Sequence, residues 1–311
     1  EWDRAKYSDD FIDSEGIKKP SQKTNVKMLW SDKYLYVFAK IYETHIWADI
    51  TKRDEVIYYN NDFEVFINPN KHVFNYGEIE INALGTEWDL YLDKPYRLKG
   101  KADSSWNIEG LKSAVYINGT INNPNDIDNY WTVEIAIPLV EISKLKDPFD
   151  YNYPKVGDIW RINFSRVNWD FEINKGKYSR KKENGKFLPE YNWVWSPQGL
   201  INMHVPENWG FLQFSKKDFE IKKNYENSNE IITQQVLYAL FRKVSFKELK
   251  YLKNFKTNQE LKFETIIVNN QEISCNFLKT ETGFNITAID KKSDVKISIS
   301  ENGLIKNIKD D

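Results

Sequence analysis

The stretch 61–92 alternates apolar and polar residues with period two. In 61–68, Phe63, Val65 and Ile67 alternate with Asp62, Glu64, Phe66 and Asn68. In 78–84, Ile79, Ile81 and Ala83 alternate with Glu78, Glu80, Asn82 and Leu84. Successive side chains of a strand point to opposite faces, so the pattern predicts strands with one apolar and one mostly polar face. A third strand follows and ends in the turn of 90–100, LYLDKPYRLKG.

The same period recurs along the chain. VKMLW (26–30) and YLYVFAKIY (34–42), separated by SDK, predict a hairpin. GLKSAVYI (110–117) and WTVEIAIP (131–138) flank a loop rich in turn formers, and Pro138 ends the second strand. LVEISKL adds a helical turn. DIWRINFSRVNW (158–169) and 209–214 are further strands. Residues 43–60 read as irregular, and 170–190 as a charged loop. Short strands, frequent turn signals and little helix predict an antiparallel β-sandwich.

All 11 Trp and all 10 Pro lie at or before Trp209. That shift in composition places a domain boundary near 216–228, giving domains 1–215 and 216–311. In the second domain Ile232, Val236, Leu240, Leu249 and Leu252 have helical spacing. Ser245 with Glu248 reads as a capping box, so two helices are expected over 229–253. Four β segments follow, at KFETIIV, ISCNFLKT, GFNITAI and VKISIS. The expectation is a small α+β appendage whose apolar sets serve packing.

Composition narrows the function. Net charge is −2 and pI about 6.1, and no Lys/Arg run interleaves with aromatics, which argues against nucleic acid. Cys275 is the single cysteine, which excludes an internal disulfide. No apolar stretch reaches the roughly 20 residues of a membrane span. The opening EWDRAKYSDDF carries no signal peptide and reads as the middle of a first segment, so a trimmed N-terminus is expected. Aromatics make up 15% of the chain, enough to supply stacking plates as well as core. Glu64, Glu80 and Asn82 beside such rings suit a sugar: hydroxyls need directional partners, and a pyranose C–H face needs an apolar plate. Trp47 and Arg53 fall in a loop beside the polar face, where ligand contacts are common. Trp193 and Trp195 share a face if their segment is extended, and either stacks on a ligand or fills the core. Arg161 and Arg166 read as ion-pair partners.

Catalytic signatures are sparse. Glu78 and Glu80 have a spacing compatible with glycoside hydrolysis, as in any strand with alternating Glu. No G-x-S-x-G, H-E-x-x-H or phosphate-binding Gly loop occurs. His45, His72 and His204 are scattered. NPNDIDN (123–129) groups Asp and Asn oxygens that suit calcium, outside the EF-hand spacing. The basic loop GKYSRKKENGK (176–186) reads as a solvated loop, or as a contact for acidic glycans.

The runs TNVKMLWSDKYLYVFAKIYE, NDFEVFINPN, YGEIEINALGTEWDLYLDKPYR, WTVEIAIP, WRINFSRVNW, NWVWSPQG and PENWGFLQF, in that order, resemble the carbohydrate-binding module family 9-like proteins over about residues 1–215. The resemblance implies a jelly-roll-like, DOMON-like β-sandwich and non-catalytic binding of polysaccharide fragments such as xylan, alongside a glycan-degrading system. It implies an extracellular or periplasmic setting, and structural calcium as in some relatives. On this sequence it points to Glu64, Glu80, Asn82 and Asn163 as hydrogen-bonding residues, with Tyr58 and Trp47 near the first stacking plate. The second plate falls where this chain has Trp193, Trp195 or His204 to offer. At Glu80 the family's sugar binders carry a basic residue. Two other readings stand beside this one: a glycan-active enzyme, and a sandwich that docks a protein or a cofactor such as haem.

Overall fold

The computed structural model describes residues 1–147, 152–216 and 229–308. The chain divides into two compact units, Glu1–Ile221 and Lys222–Asp311. From 217 on, the stretch expected to hold the boundary lies outside the described residues.

The first unit opens with β1 (Ile12–Asp13) and the hairpin β2 (Thr24–Trp30) and β3 (Tyr34–Tyr42). A meander follows: β4 (Asp62–Asn68), β5 (Tyr76–Asn82), β6 (Glu87–Leu92) and β7 (Ala102–Asp103). Then come β8 (Lys112–Asn118), β9 (Tyr130–Pro138), the short α1 (Leu139–Ser143) and β10 (Ile159–Asn168). The stretch 170–190, expected to be a charged loop with a solvated basic part at 176–186, instead forms two small hairpins. These are β11 (Phe171–Asn174) with β12 (Lys177–Arg180), and β13 (Lys182–Glu183) with β14 (Lys186–Phe187). The left-handed Lys175–Gly176 and Asn184–Gly185 pairs close both turns, the X-Gly pattern that matches strand twist. β15 (Tyr191–Val194) and β16 (Gly210–Gln213) complete the unit.

Among the described residues, an eight-stranded sheet has the order β1-β15-β10-β4-β5-β6-β7, with β16 also paired to β10. A four-stranded sheet has the order β2-β3-β9-β8. Val26, Val37, Val133 and Ile135 of the smaller sheet share one core with Phe63, Val65, Ile79 and Phe164 of the larger. Each such side chain, fully buried, contributes about 1.5–3 kcal/mol. This is the antiparallel sandwich that the alternation predicts, in the jelly-roll-like form that the resemblance implies.

One feature departs from an ordinary sandwich. β3 buries alternate residues, as a one-sided strand should, but β4 and β5 are buried at every position. The outer face of the larger sheet is covered at one end by Met203 and Trp209, packed on Phe66, Tyr76, Leu90 and Leu92. At the other end Trp47 and Trp169 pack with Val167. The acids of β4 and β5 lie between these two covers, dry instead of solvated.

The second unit contains α2 (Asn229–Phe246) and a six-stranded antiparallel sheet, β17 (Glu260–Lys262) to β22 (Ile305–Asn307). The expected second helix is a single 3-10 turn, Lys250–Asn254, and Ser245 sits inside α2 instead of capping a new helix. Burial of Val244 and the Phe241–Phe246 edge contact carry the helix through that position. No helix among the described residues is long and apolar enough to cross a membrane.

Candidate functional site on the outer face of the larger sheet

Strand register assembles the site. Glu64 pairs with Glu80, Asp62 with Asn82, and Phe66 with Glu78. One strand further, Glu80 pairs with Trp88; on the other side Glu64 pairs with Ser165 and Asp62 with Val167. Residues directly opposite lie about 4.5–5.5 Å apart, so one face gathers Asp62, Glu64, Glu78 and Glu80. One oxygen each of Asp62, Glu64 and Glu80 lies within 4.8 Å of the others.

These acids are 0–4% exposed. Burial raises the Glu64 carboxyl to about 7, and Glu190 adds to the rise while the Ser165 hydroxyl opposes it. Burial, then repulsion from Glu64, holds Asp62 and Glu78 well above the usual carboxylate range. Glu80 is raised by burial and by Asp62, Glu64 and Glu78, although its Oε2 accepts the Tyr58 N–H at 2.8 Å. Both oxygens of Asp62 and Oε2 of Glu64 have no hydrogen-bond partner.

Two tyrosines flank the acids. Tyr58 sits on the 3-10 turn Ile57–Tyr59, and burial with repulsion from Tyr59 and Glu80 pushes its phenol to about 12. Tyr96 sits on the turn Tyr96–Leu98, and burial with repulsion from Glu78 and Glu80 pushes it equally high. Tyr96 is 47% exposed and Tyr59 42%, so each offers an accessible ring. The Tyr96 turn is anchored by Arg97, which donates to both Glu207 oxygens at 2.9 and 2.7 Å and to the His204 carbonyl. The turn closes through Gly100, where a Cβ would lie 1.7 Å from the Lys94 carbonyl oxygen. His204 meets Tyr96 edge-on at 4.5 Å and is hydrogen-bonded to the Tyr76 hydroxyl at 2.9 Å. On the other flank Trp169 donates to the Tyr58 carbonyl at 2.7 Å. Arg180 of the β11–β14 arm lies over the rings of Tyr59, Trp169 and Phe187 at 4.2, 4.7 and 4.1 Å.

The residues expected at the site divide into two groups. Glu64, Glu80 and Tyr58 come together. Trp47 is close by in the chain's packing but 2% exposed, stacked on Tyr178 in the cluster with Val167 and Trp169, so it offers no open plate. Asn82 shares the face but is spent: Nδ2 donates to Ile50 O and Asn60 Oδ1, and Oδ1 accepts the Leu84 and Thr86 N–H groups. Asn163 is spent in the same way, between Phe164 and both backbone groups of Ser196. Arg53 is drawn to Glu87 and Asp89, whose strand partners Ile81 and Ile79 face the core. Trp193 pairs with Arg166 and packs with Trp195 against the inner core. Their alternate, Val194, faces the outer cover instead. Arg166 is the buried ion-pair partner of Glu43, at 3.6 Å.

In the 123–129 loop, Asp128 spends its two oxygens on the Ile46 and Thr120 N–H groups, and Asp126 accepts the Thr120 hydroxyl. Asp62, Glu78, Trp88 and Tyr96 were not singled out for binding in the sequence. Pairing Glu64 with Glu80 would have found Asp62 and Glu78, two residues along the same face, whereas Trp88 needs the β5–β6 register as well. Tyr96 depends on where a turn folds back, and period two carries no signal for that.

No protein-family model matches the chain. No curated protein matches it. Among solved structures the chain is similar to a proposed carbohydrate-binding protein from Bacteroides uniformis ATCC 8492, with a TM-score of 0.50 and 14% identity, over 68% of this chain and 88% of that one. It is also similar to a carbohydrate binding module family 9 from Caldicellulosiruptor kristjanssonii in complex with cellotriose, with a TM-score of 0.44 and 14% identity over 70% and 86% of the two chains. The same module in complex with glucose gives 0.44 and 15% over 71% and 90%. At such identity the likeness to the Bacteroides protein is one of fold, the fold that the sequence resemblance implies.

Proposed function

We propose that the first unit is a non-catalytic carbohydrate-binding module and that its ligand lies on the outer face of the larger sheet. One observation carries the reading: buried carboxylates with unspent oxygens stand close enough to Tyr58 and Tyr96 to raise both phenols, and the Tyr59 and Tyr96 rings reach solvent. Glu64 and Glu80 accept sugar hydroxyls, and Tyr58, Tyr59 and Tyr96 supply the apolar plates. The fold shared with a proposed carbohydrate-binding protein supports it. Asn82, Asn163, Arg53, Trp193 and Trp195 act behind the site, as scaffold. A xylan-like oligosaccharide, met outside the cytoplasm beside a glycan-degrading system, is the ligand class we favour from the sequence resemblance.

A second reading, a glycan-active enzyme, draws on the same acids. A carboxyl raised to about 7 beside others within 4.8 Å is the kind of pair that hydrolysis uses. One experiment separates the two: calorimetric titration of the full chain with xylo-, cello-, manno- and uronic-acid oligosaccharides, with product analysis. Saturable heat without new reducing ends, abolished in Tyr96→Ala, is the expected result. Steady release of shorter sugars would replace the module with an enzyme. Silence across the panel would remove the carbohydrate reading.

A further inference from the structure

The unit treats its buried acids consistently, with the exception of one place. Glu43 has Arg166, Asn61 and Trp131. Asp89 has Arg53 and the Ile108 N–H. Asp128 has two backbone N–H groups, and Glu207 has Arg97. Among the described residues, the acids of β4 and β5 receive no cation, and Glu80 has the Tyr58 N–H alone. No lysine or arginine among the described residues forms an ion pair with Asp62, Glu64, Glu78 or Glu80. Asp62 is 0% exposed with both oxygens unpartnered, and Glu64 adds a third orphan oxygen. Burying an ionised carboxylate without a partner costs several kcal/mol, so each charge needs a counter-ion or a proton.

The geometry supplies a place for a counter-ion. Oxygens 2.3–2.6 Å from a calcium ion lie at most about 5 Å from one another. One oxygen each from Asp62, Glu64 and Glu80 meets that limit, lying within 4.8 Å. Ser165, opposite Glu64 on the same face, carries a buried hydroxyl that meets no hydrogen-bond geometry but lies near enough to Glu64 to restrain the rise of its pKa. The donors are all oxygen and include no sulfur or imidazole, which selects a hard cation. The three carboxylates lie on two adjacent strands at the middle of the larger sheet, so their spacing is set by the ladder and not by a mobile loop.

We propose that Asp62, Glu64 and Glu80 form a binding site for one hard divalent cation, calcium in preference to magnesium, with the Ser165 hydroxyl as a neutral oxygen ligand. Calcium is preferred because carboxylates whose spacing is set by a ladder suit its variable shell better than magnesium's strict octahedron. The site shares Glu64 and Glu80 with the proposed sugar contacts but does not rest on the carbohydrate reading, and its test uses no sugar.

The test uses the full chain stripped with EDTA and then titrated with calcium and, separately, magnesium, with no sugar present. Calorimetry reports stoichiometry, and terbium luminescence sensitised by the nearby Trp88 and Tyr58 reports location. The expected result is one saturable calcium site of micromolar to millimolar affinity, a higher unfolding temperature with calcium, and terbium emission that calcium quenches. Asp62→Asn and Glu64→Gln weaken calcium at least ~10-fold. Both variants lose an unpaired buried charge, so in EDTA they unfold at or above the wild-type temperature, which shows that they are folded. Asp126→Asn in the 123–129 loop binds as wild type. The proposal is overturned if calcium and magnesium both fail to bind, in which case the carboxyls share protons. It is overturned equally if Asp62→Asn binds as tightly as wild type, or if Asp126→Asn is the variant that loses binding.

Discussion

Glu64 and Glu80 stand directly opposite each other across the β4–β5 ladder, two carboxylates paired where a sheet would place two apolar side chains or opposite charges. Like charges facing each other in a ladder destabilise it, and burial removes the water that would screen them. The sandwich accepts this cost at the centre of its larger sheet. Four experiments follow the consequences.

Glu78 is the member of the acidic group outside the three-oxygen cluster, buried beside Glu64. Glu78→Gln removes a carboxyl that must be buried charged or take up a proton on folding, and keeps the shape. In EDTA at neutral pH the variant should be more stable than wild type by about 1–2 kcal/mol. Chemical denaturation of the two proteins side by side measures it. A loss of stability would mean that the Glu78 carboxylate has a favourable partner after all.

His204 sets a pH dependence of opposite origin. Burial, with Arg97 nearby, lowers its pKa from 6.5 to about 3. The unfolded chain therefore takes up a proton that the folded chain refuses. The contribution is fully present above the unfolded value of 6.5 and is lost as pH falls toward about 3. Between about pH 7 and pH 5 it amounts to roughly 2 kcal/mol. His204→Gln should lose less stability than wild type over that range. The comparison is between proteins, so the acids of β4 and β5 cancel. Parallel curves would show that the folded chain does not hold His204 neutral.

The Glu43–Arg166 pair is the unit's buried ion pair on the core side, with Trp131 Nε1 donating to Glu43 at 2.8 Å and Arg166 donating to Tyr42 O at 2.9 Å. Glu43→Gln strands the guanidinium and should cost about 3–5 kcal/mol. Replacing both residues with Met should recover most of that loss, because neither charge is then left alone. A double-mutant cycle by urea unfolding reads both values.

Asn163 separates scaffold from contact. Its amide ties Phe164 to Ser196 through three hydrogen bonds, at 2.9, 2.9 and 3.0 Å. Asn163→Ala should cost about 2–3 kcal/mol of stability. At a temperature where the variant remains folded, its affinity for any sugar that the wild type binds should change less than threefold, within the ~0.6 kcal/mol that indirect effects produce. A large loss of affinity with little loss of stability would return Asn163 to the binding surface.

Much of the sandwich is visible in the sequence because its strands are one-sided or nearly so. The alternation in 34–42 and 131–138 marks the faces that meet in the core, and the structure follows it. The floor of the candidate site is visible for the same reason: Glu64 and Glu80 occupy the polar phase of adjacent strands. What period two cannot show is how an outer face is covered. Met203 and Trp209 arrive from far along the chain and Trp47 from the loop before β4, and they turn a polar face into a buried one. Trp193 and Trp195 are legible only as a pair sharing a side, and which side depends on pairing with β10. Asn82 and Asn163 read as ligand contacts because an amide in a strand looks the same whether it faces a sugar or holds a turn. The two hairpins of 170–187 were hidden by their charge, although their Lys-Gly and Asn-Gly turns were in plain view.

Arg180 joins three rings that are far apart in the chain: Tyr59 before the floor strands, Trp169 just past β10, and Phe187 in the last hairpin. The arm is therefore a latch and not a fringe. Its lysines, Lys181, Lys182 and Lys186, are exposed tryptic sites held in ordered backbone, where a protease needs the hairpin to open before it can cut. Opening requires the guanidinium to leave its rings, and leaving Tyr59 loosens the turn that carries Tyr58. The speed of nicking at those lysines should therefore report how firmly the tyrosine wall is shut, and the proposed ligand should slow the cut without touching the bond that is cut.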